Sequence, residues 1–161
     1  MKERPILALD VATKTGWAVG RPGEIPRMGS VRLLGRGAED GAIGCALIDW
    51  LADQITVHDP VLVAYEAPLQ RGEHKGQAAG LLTIGLVHVV QVVCWRREVR
   101  CEPFHVATVR AQAVGDGRAK KPDVAAWVTS MGWALPEHGG EPDYDAADAV
   151  ALWAYAAGRR R

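Results

Sequence analysis

The chain reads as an α/β domain with a mixed sheet, and three observations carry that reading. Three strand-length segments come first, before any helical periodicity. A fully apolar run, VLVAY, follows the first amphipathic helix, and apolarity on both faces belongs to a central, parallel strand. From there helical and extended segments alternate to the C-terminus. The length agrees: 161 residues and 17.3 kDa fit one domain, placed at residues 1–158 with 159–161 as a basic tail. Hydrophobic residues at 48% and charged residues at 24% allow a real core in a soluble chain, and they exclude a disordered or collagen-like one.

Each element has a local reason. Pro5 to Leu9 (PILAL) is an apolar run that stops at Asp10, as a central strand does. Thr15 to Val19 opens on a Thr-Gly pair after a tight turn, and Arg27 to Leu34 alternates weakly; RPGEIP between them is loop. Ala42 to Ile55 has Ile43, Leu47, Ile48, Leu51 and Ile55 on one helical face. Val61 to Tyr65 is the buried strand, and it ends at Glu66. Gly76 to Arg97 predicts a long helix, apolar on nearly all sides. Such a helix needs two covers, its own sheet and a second surface, and Leu86 and Val90 are the positions to test as facing a partner. Val99 to His105 predicts another strand. Val106 to Val114 and Asp123 to Met131 predict short helices, with GDGRAKK as a mobile basic loop between them. Asp145 to Ala157 predicts a last amphipathic helix.

Lys plus Arg and Asp plus Glu both number 19, so net charge names no partner. Local charge is uneven. Trp95 to Lys121 carries seven basic and three acidic residues, whereas Pro122 to Asp148 carries six acidic residues and no Lys or Arg. That order suits a polyanion held beside a cation-binding carboxylate site, and it also suits an ordinary surface. Cys45, Cys94 and Cys101 are odd in number and lack CxxC spacing, which favours a reduced, cytoplasmic setting over a disulfide framework. The C-x6-C-x3-H run to His105 matches no common zinc spacing. The five-residue apolar run at the start is too short for a signal-peptide core. Ala78 to Trp95 is interrupted by Thr83, His88 and Gln91 and reads as a protein-buried helix, so no membrane partner is expected.

Four carboxylates stand out by position. Asp10 and Glu66 each end an apolar strand, where an uncompensated charge is expensive to bury. Asp145 and Asp148 are spaced i, i+3 at a helix start and so share a face. If that helix packs on the sheet, all four converge, and an oxygen-only cluster suits Mg²⁺ or Mn²⁺. A pair of such ions about 4 Å apart can activate water and stabilise a leaving oxygen in phosphodiester cleavage. Taken singly, Asp145 reads as a helix N-cap, Asp148 as a solvated first-turn acid, and Asp10 as the start of a turn through VATKTG. His138 precedes the acidic pair in a Gly-rich loop and is a candidate to assist catalysis. His88 reads as a core or interface histidine, and Trp17 as an aromatic close to Asp10.

Five segments resemble the RuvC family of Holliday junction resolvases, in family order and over nearly the whole chain. ILALDVATKTGWAV resembles its opening hairpin, VLVAYEAP its strand ending in a catalytic Glu, and KGQAAGLLTIGLVHVV its following helix. VRAQAVGDGRAKKPDVAAWV resembles the stretch with two functional cations, and DAADAVALWAYA the C-terminal helix with the last two acids. The resemblance implies a ribonuclease H-like fold with a mixed five-stranded sheet flanked by helices. It implies a homodimer, two Mg²⁺ (or Mn²⁺) ions per site, and Asp10, Glu66, Asp145 and Asp148 as ligands. It also implies that Arg110 and Lys121 bind phosphate or assist catalysis; Lys121 is counted with the catalytic set. The expected DNA contacts are Lys14, Leu69, Arg110, Arg118, Lys120 and Lys121. Arg110 stands where many relatives have Lys, and a planar fork is not a point charge. Leu69 stands where some relatives carry a base-stacking aromatic.

The expected activity is a crossover junction endodeoxyribonuclease acting on branched DNA. Whether branch-migration helicase partners are needed is open, since phage-like members act alone. The alternatives are a ribonuclease H-like or YqgF-type nuclease on RNA, and a single-lobe phosphoryl-transfer relative of the actin and sugar-kinase superfamily, whose phosphate loop DxxTxTG also resembles. A DNA-binding module without catalysis is disfavoured, because bare acids near phosphates only repel.

Overall fold

The computed structural model describes residues 3–68 and 77–159, with the backbone alone at residue 77. Leu69, the helix start expected at Gly76 and the last two residues of the basic tail lie outside the described residues. The strands are β1 (Ile6–Asp10), β2 (Lys14–Gly20), β3 (Arg27–Arg32), β4 (Leu62–Glu66) and β5 (Cys101–Phe104). They form one mixed sheet in the order β3-β2-β1-β4-β5. β2 is antiparallel to β1 and β3, while β4 runs parallel to β1 and to β5. The apolar runs of β1 and β4 therefore occupy the centre, where both faces are covered.

The helices are α1 (Asp40–His58), α2 (Gln77–Arg96), α3 (Val106–Val114), α4 (Lys121–Ser130) and α5 (Tyr144–Gly158). Strand alternation splits the core in two. Ile6, Ala8, Ala18, Leu62 and Ala64 pack with the buried residues of α3, α4 and α5. Leu7, Leu9, Val19, Val63 and Tyr65 pack with those of α1 and α2. Asp10 and Glu66 fall by parity on the α5 side. A five-stranded mixed sheet flanked by helices is the architecture expected, and every predicted element is present with ends shifted by a few residues. Two short strands were not foreseen: β6 (Glu137–His138) and β7 (Glu141–Pro142) form a hairpin of their own. Gly139 and Gly140, at φ 63° and 83°, supply its turn, a conformation natural to glycine.

The structure corrects three expectations on the α1 and α2 side and in the basic loop. Leu86 and Val90 of α2 are buried against the sheet, so neither faces outward. Ile48 of α1, expected on the inner face, is exposed. GDGRAKK is packed rather than loose: Ala119 is buried, and a Cβ on Gly117 would meet Ala107 O at 2.9 Å. By length and composition alone, Ala78–Arg96 could cross a membrane. Its inner face instead packs on the sheet and α1.

Candidate active site

The site begins with how closely α5 lies on the sheet. β2 presents Gly16, Ala18 and Gly20 to α5, paired in register with Asp10, Ala8 and Ile6 of β1. On the other side, Ala146, Ala147, Ala149 and Ala151 of α5 are buried. Small groups on both surfaces allow close approach. A Cβ on Gly16 would stand 2.0 Å from the backbone oxygen of Asp145, so no larger residue fits there. Thr15, fully buried, donates to the Ala12 carbonyl at 2.7 Å and ties down the turn before the glycine. The Thr-Gly pair thus fixes the turn and seats the first turn of α5 beside Asp10.

Glu66 follows from register. Leu9 of β1 pairs with Tyr65 of β4, so the next residues, Asp10 and Glu66, end adjacent parallel strands. Asp148 lies one helical turn beyond Asp145 and is buried, at 7% exposed. The crowding shows in the proton affinities of Asp10 and Glu66. Burial, then Glu66, Asp148 and Asp145, hold Asp10 well above the usual carboxylate range, against a lowering by Lys121. Burial and Asp148 push Glu66 up to about 7, against Arg110 and Lys121. These are carboxylates crowded enough to resist ionising together.

Three cations are turned onto this cluster. Arg110 is inward, paired with Asp148 at 3.2 Å and donating to the Ala119 carbonyl at 2.8 Å. In this structure its charge is paired within the protein. Lys121 lies 2.9 Å from Asp145 and 3.6 Å from Asp148. Burial alone lowers its pKa, but Asp145, Asp10 and Asp148 outweigh that and raise it, so it stays charged. Lys14 reaches Asp145 at 3.2 Å and Asp143 at 3.4 Å. Arg118 and Lys120, shortly before Lys121 in the chain, are exposed.

Asp143 was not singled out in the sequence. It, not Asp145, is the N-cap of α5, accepting from Ala146 N at 3.3 Å. Its side chain is fully buried and also accepts from Ser30 Oγ at 2.6 Å and meets His138 Nε2 at 3.1 Å. Burial opposes its ionisation, yet Ser30, Ala146 N, Lys14 and His138 together lower its pKa. One carboxylate thus ties β2, β3 and the hairpin to the start of α5.

Among the described residues, no three His, Cys, Asp or Glu side chains form a ready-made metal site. The donor set itself fits a hard divalent cation. It is all oxygen, and the protein under-compensates the ionised forms of Asp10 and Glu66, which therefore keep their protons until a cation offsets the charge. Both oxygens of Asp145 are paired in this structure, one with Lys121 and the other with Lys14.

No family model matches the chain, and no curated protein matches its sequence. Solved structures do match. The chain is similar to Thermus thermophilus RuvC at TM-score 0.70 and 19% identity, covering 97% of this chain and 95% of that one. It is similar to T. thermophilus RuvC in complex with a Holliday junction substrate at TM-score 0.74 and 17% identity, covering 98% and 96%. It is also similar to the yeast mitochondrial Holliday junction resolvase at TM-score 0.68 and 9% identity, covering 97% and 81%. The fold is the RuvC-type ribonuclease H-like fold.

Proposed function

We propose that this chain, built on the fold of known junction resolvases, is a metal-dependent endonuclease that cuts branched DNA at four-way junctions. One observation carries the reading: four carboxylates gather where β1, β4 and the start of α5 meet, with Lys121 and Arg110 beside them. A bound Mg²⁺ or Mn²⁺ would supply an activated water and charge stabilisation at the phosphate under attack. Asp10, Glu66, Asp145 and Asp148 would hold it. Arg110 keeps Asp148 in place, and Lys121 exchanges its carboxylate partner for the phosphate as the scissile strand enters. Arg118 and Lys120 extend the contact along the backbone, adding affinity without sequence preference.

The same reading includes pairing of two copies along α2. Ala78, Leu81, Gly85, His88, Val92 and Trp95 are all exposed and recur at alternating steps of three and four, the spacing of a coiled-coil seam. Leu81 is 64%, Val92 54% and Trp95 86% exposed, an apolar cost that a two-fold partner relieves. Two sites related by a two-fold axis match the approximate symmetry of a four-way junction.

The test is incubation with a synthetic four-way junction, a fork, a linear duplex and an RNA–DNA hybrid, each with and without Mg²⁺ or Mn²⁺. The account expects metal-dependent cutting of the junction ahead of the linear duplex. Preferential cutting of the hybrid would instead support an RNA-directed nuclease.

A further inference from the structure

We infer that His138 is a phosphate contact for the strand being cut, an assignment that rests on the nuclease reading above. The hairpin that carries it is short and fixed. Asp143 N donates to the Pro136 carbonyl at 2.8 Å, closing its base, and Gly139 and Gly140 make its turn. His138 Nε2 lies 3.1 Å from Asp143 Oδ2, while the side chain stays 61% exposed. A fully buried carboxylate thus holds one ring nitrogen while most of the side chain stays open to solvent. With Nε2–H donating to Asp143, protonation at Nδ1 creates a second donor. Asp143 caps the helix whose first turn carries Asp145, so this donor stands beside the catalytic cluster.

The charge balance gives such a donor a purpose. Lys14, Lys121 and Arg110 are all turned onto Asp143, Asp145 or Asp148, and those acids repel DNA. An imidazolium backed by Asp143 offers phosphate a cation at the rim. The charged groups around it are Asp143 from α5, Lys14 from β2, and Glu141, its register partner across the hairpin. Asp145 is linked to it through Lys14.

The experiment measures affinity for a labelled four-way junction against salt, in EDTA so that nothing is cut, at pH 6. The variants are His138→Gln, which keeps a donor to Asp143 without charge, and His138→Lys, which keeps a charge. One phosphate contact changes the slope of log affinity against log salt by about 0.9. The Gln variant should be shallower than wild type by about that amount, and the Lys variant should keep the steep slope. Glu66 and Asp10 titrate in every one of these proteins, so comparison between variants cancels them. Equal slopes for wild type and the Gln variant at pH 6 would overturn the assignment, whether or not cleavage falls. A wild-type chain with no preference for the junction would overturn the junction reading instead, and the slope comparison could then be run on linear duplex.

Discussion

The two faces of the sheet are covered by very different means. On the α5 face, glycine and alanine surfaces meet at backbone distance, and the ends of β1 and β4 carry charge. On the α2 face, branched aliphatic side chains fill the interior, with Leu47, Leu51, Leu86 and Val90 buried, and a second apolar stripe stays outside. Close packing of small residues dictates where a helix lies to within a fraction of an ångström. Packing of large aliphatics tolerates exchange so long as volume is kept. The face that must place carboxylates has the first kind of contact, and the face read here as pairing two copies has the second.

The largest expected effect separates the two sides of α2. Val90→Glu buries a charge among Leu86, Val93 and the strands, and should unfold the chain, read as loss of the cooperative thermal transition. Val92→Glu, two residues on, points outward. It should leave the transition in place while halving the mass seen by light scattering. An unchanged mass for both Val92→Glu and Leu81→Glu would remove α2 as the pairing surface.

The next comparison sets one glycine against another. Gly16→Ala drives a methyl into the Asp145 backbone carbonyl, which cannot move aside as a side chain can, and should cost about 3 kcal/mol or more of stability together with cleavage. Gly44→Ala in α1 meets only the Val89 side chain, at 3.9 Å, and should stabilise the helix by about 0.5–1 kcal/mol. Urea denaturation of both variants checks the pair. A harmless Gly16→Ala would mean that α5 is not seated as described.

A smaller effect concerns the charge on the α5 face. Glu66 is raised from an ordinary carboxylate value to about 7, so the folded chain binds its proton more tightly than the unfolded one. Stability from this group is therefore present in full below about pH 4.5 and lost as pH rises through 7. Without divalent ions, Glu66→Gln should exceed wild type in stability by about 1–3 kcal/mol at pH 8, with the difference gone by pH 4. Unfolding curves at pH 4, 6 and 8 in EDTA measure it. A Gln variant no more stable at pH 8 would mean that the carboxylates are not crowded.

What was legible in the sequence follows the same division. The β1 and β4 runs announce themselves by apolarity, and the acids that end them stand out because nothing else in those runs is charged. α3 begins and ends where its periodicity places it. The stripe on α2 was visible only as excess apolarity: with apolar residues on every side, period alone cannot say that Val92 faces out and Val90 in. Asp143 was overlooked for a different reason. Its partners Ser30 and Lys14 lie 113 and 129 residues away, and no local pattern links them. The hairpin that brings His138 to it has two residues per strand, below the length at which alternation can be seen.

The four carboxylates are proposed to form a metal-dependent centre for cutting DNA junctions. Its most direct test maps cleavage on a four-way junction labelled on each strand in turn, with Mg²⁺, comparing wild type with Asp148→Asn. The account predicts nicks at symmetric positions on two opposed strands for wild type, none without metal, and at least a 100-fold loss in the variant that still binds the junction. Cutting of linear duplex as fast as the junction, or near-wild-type turnover by Asp148→Asn, would contradict it.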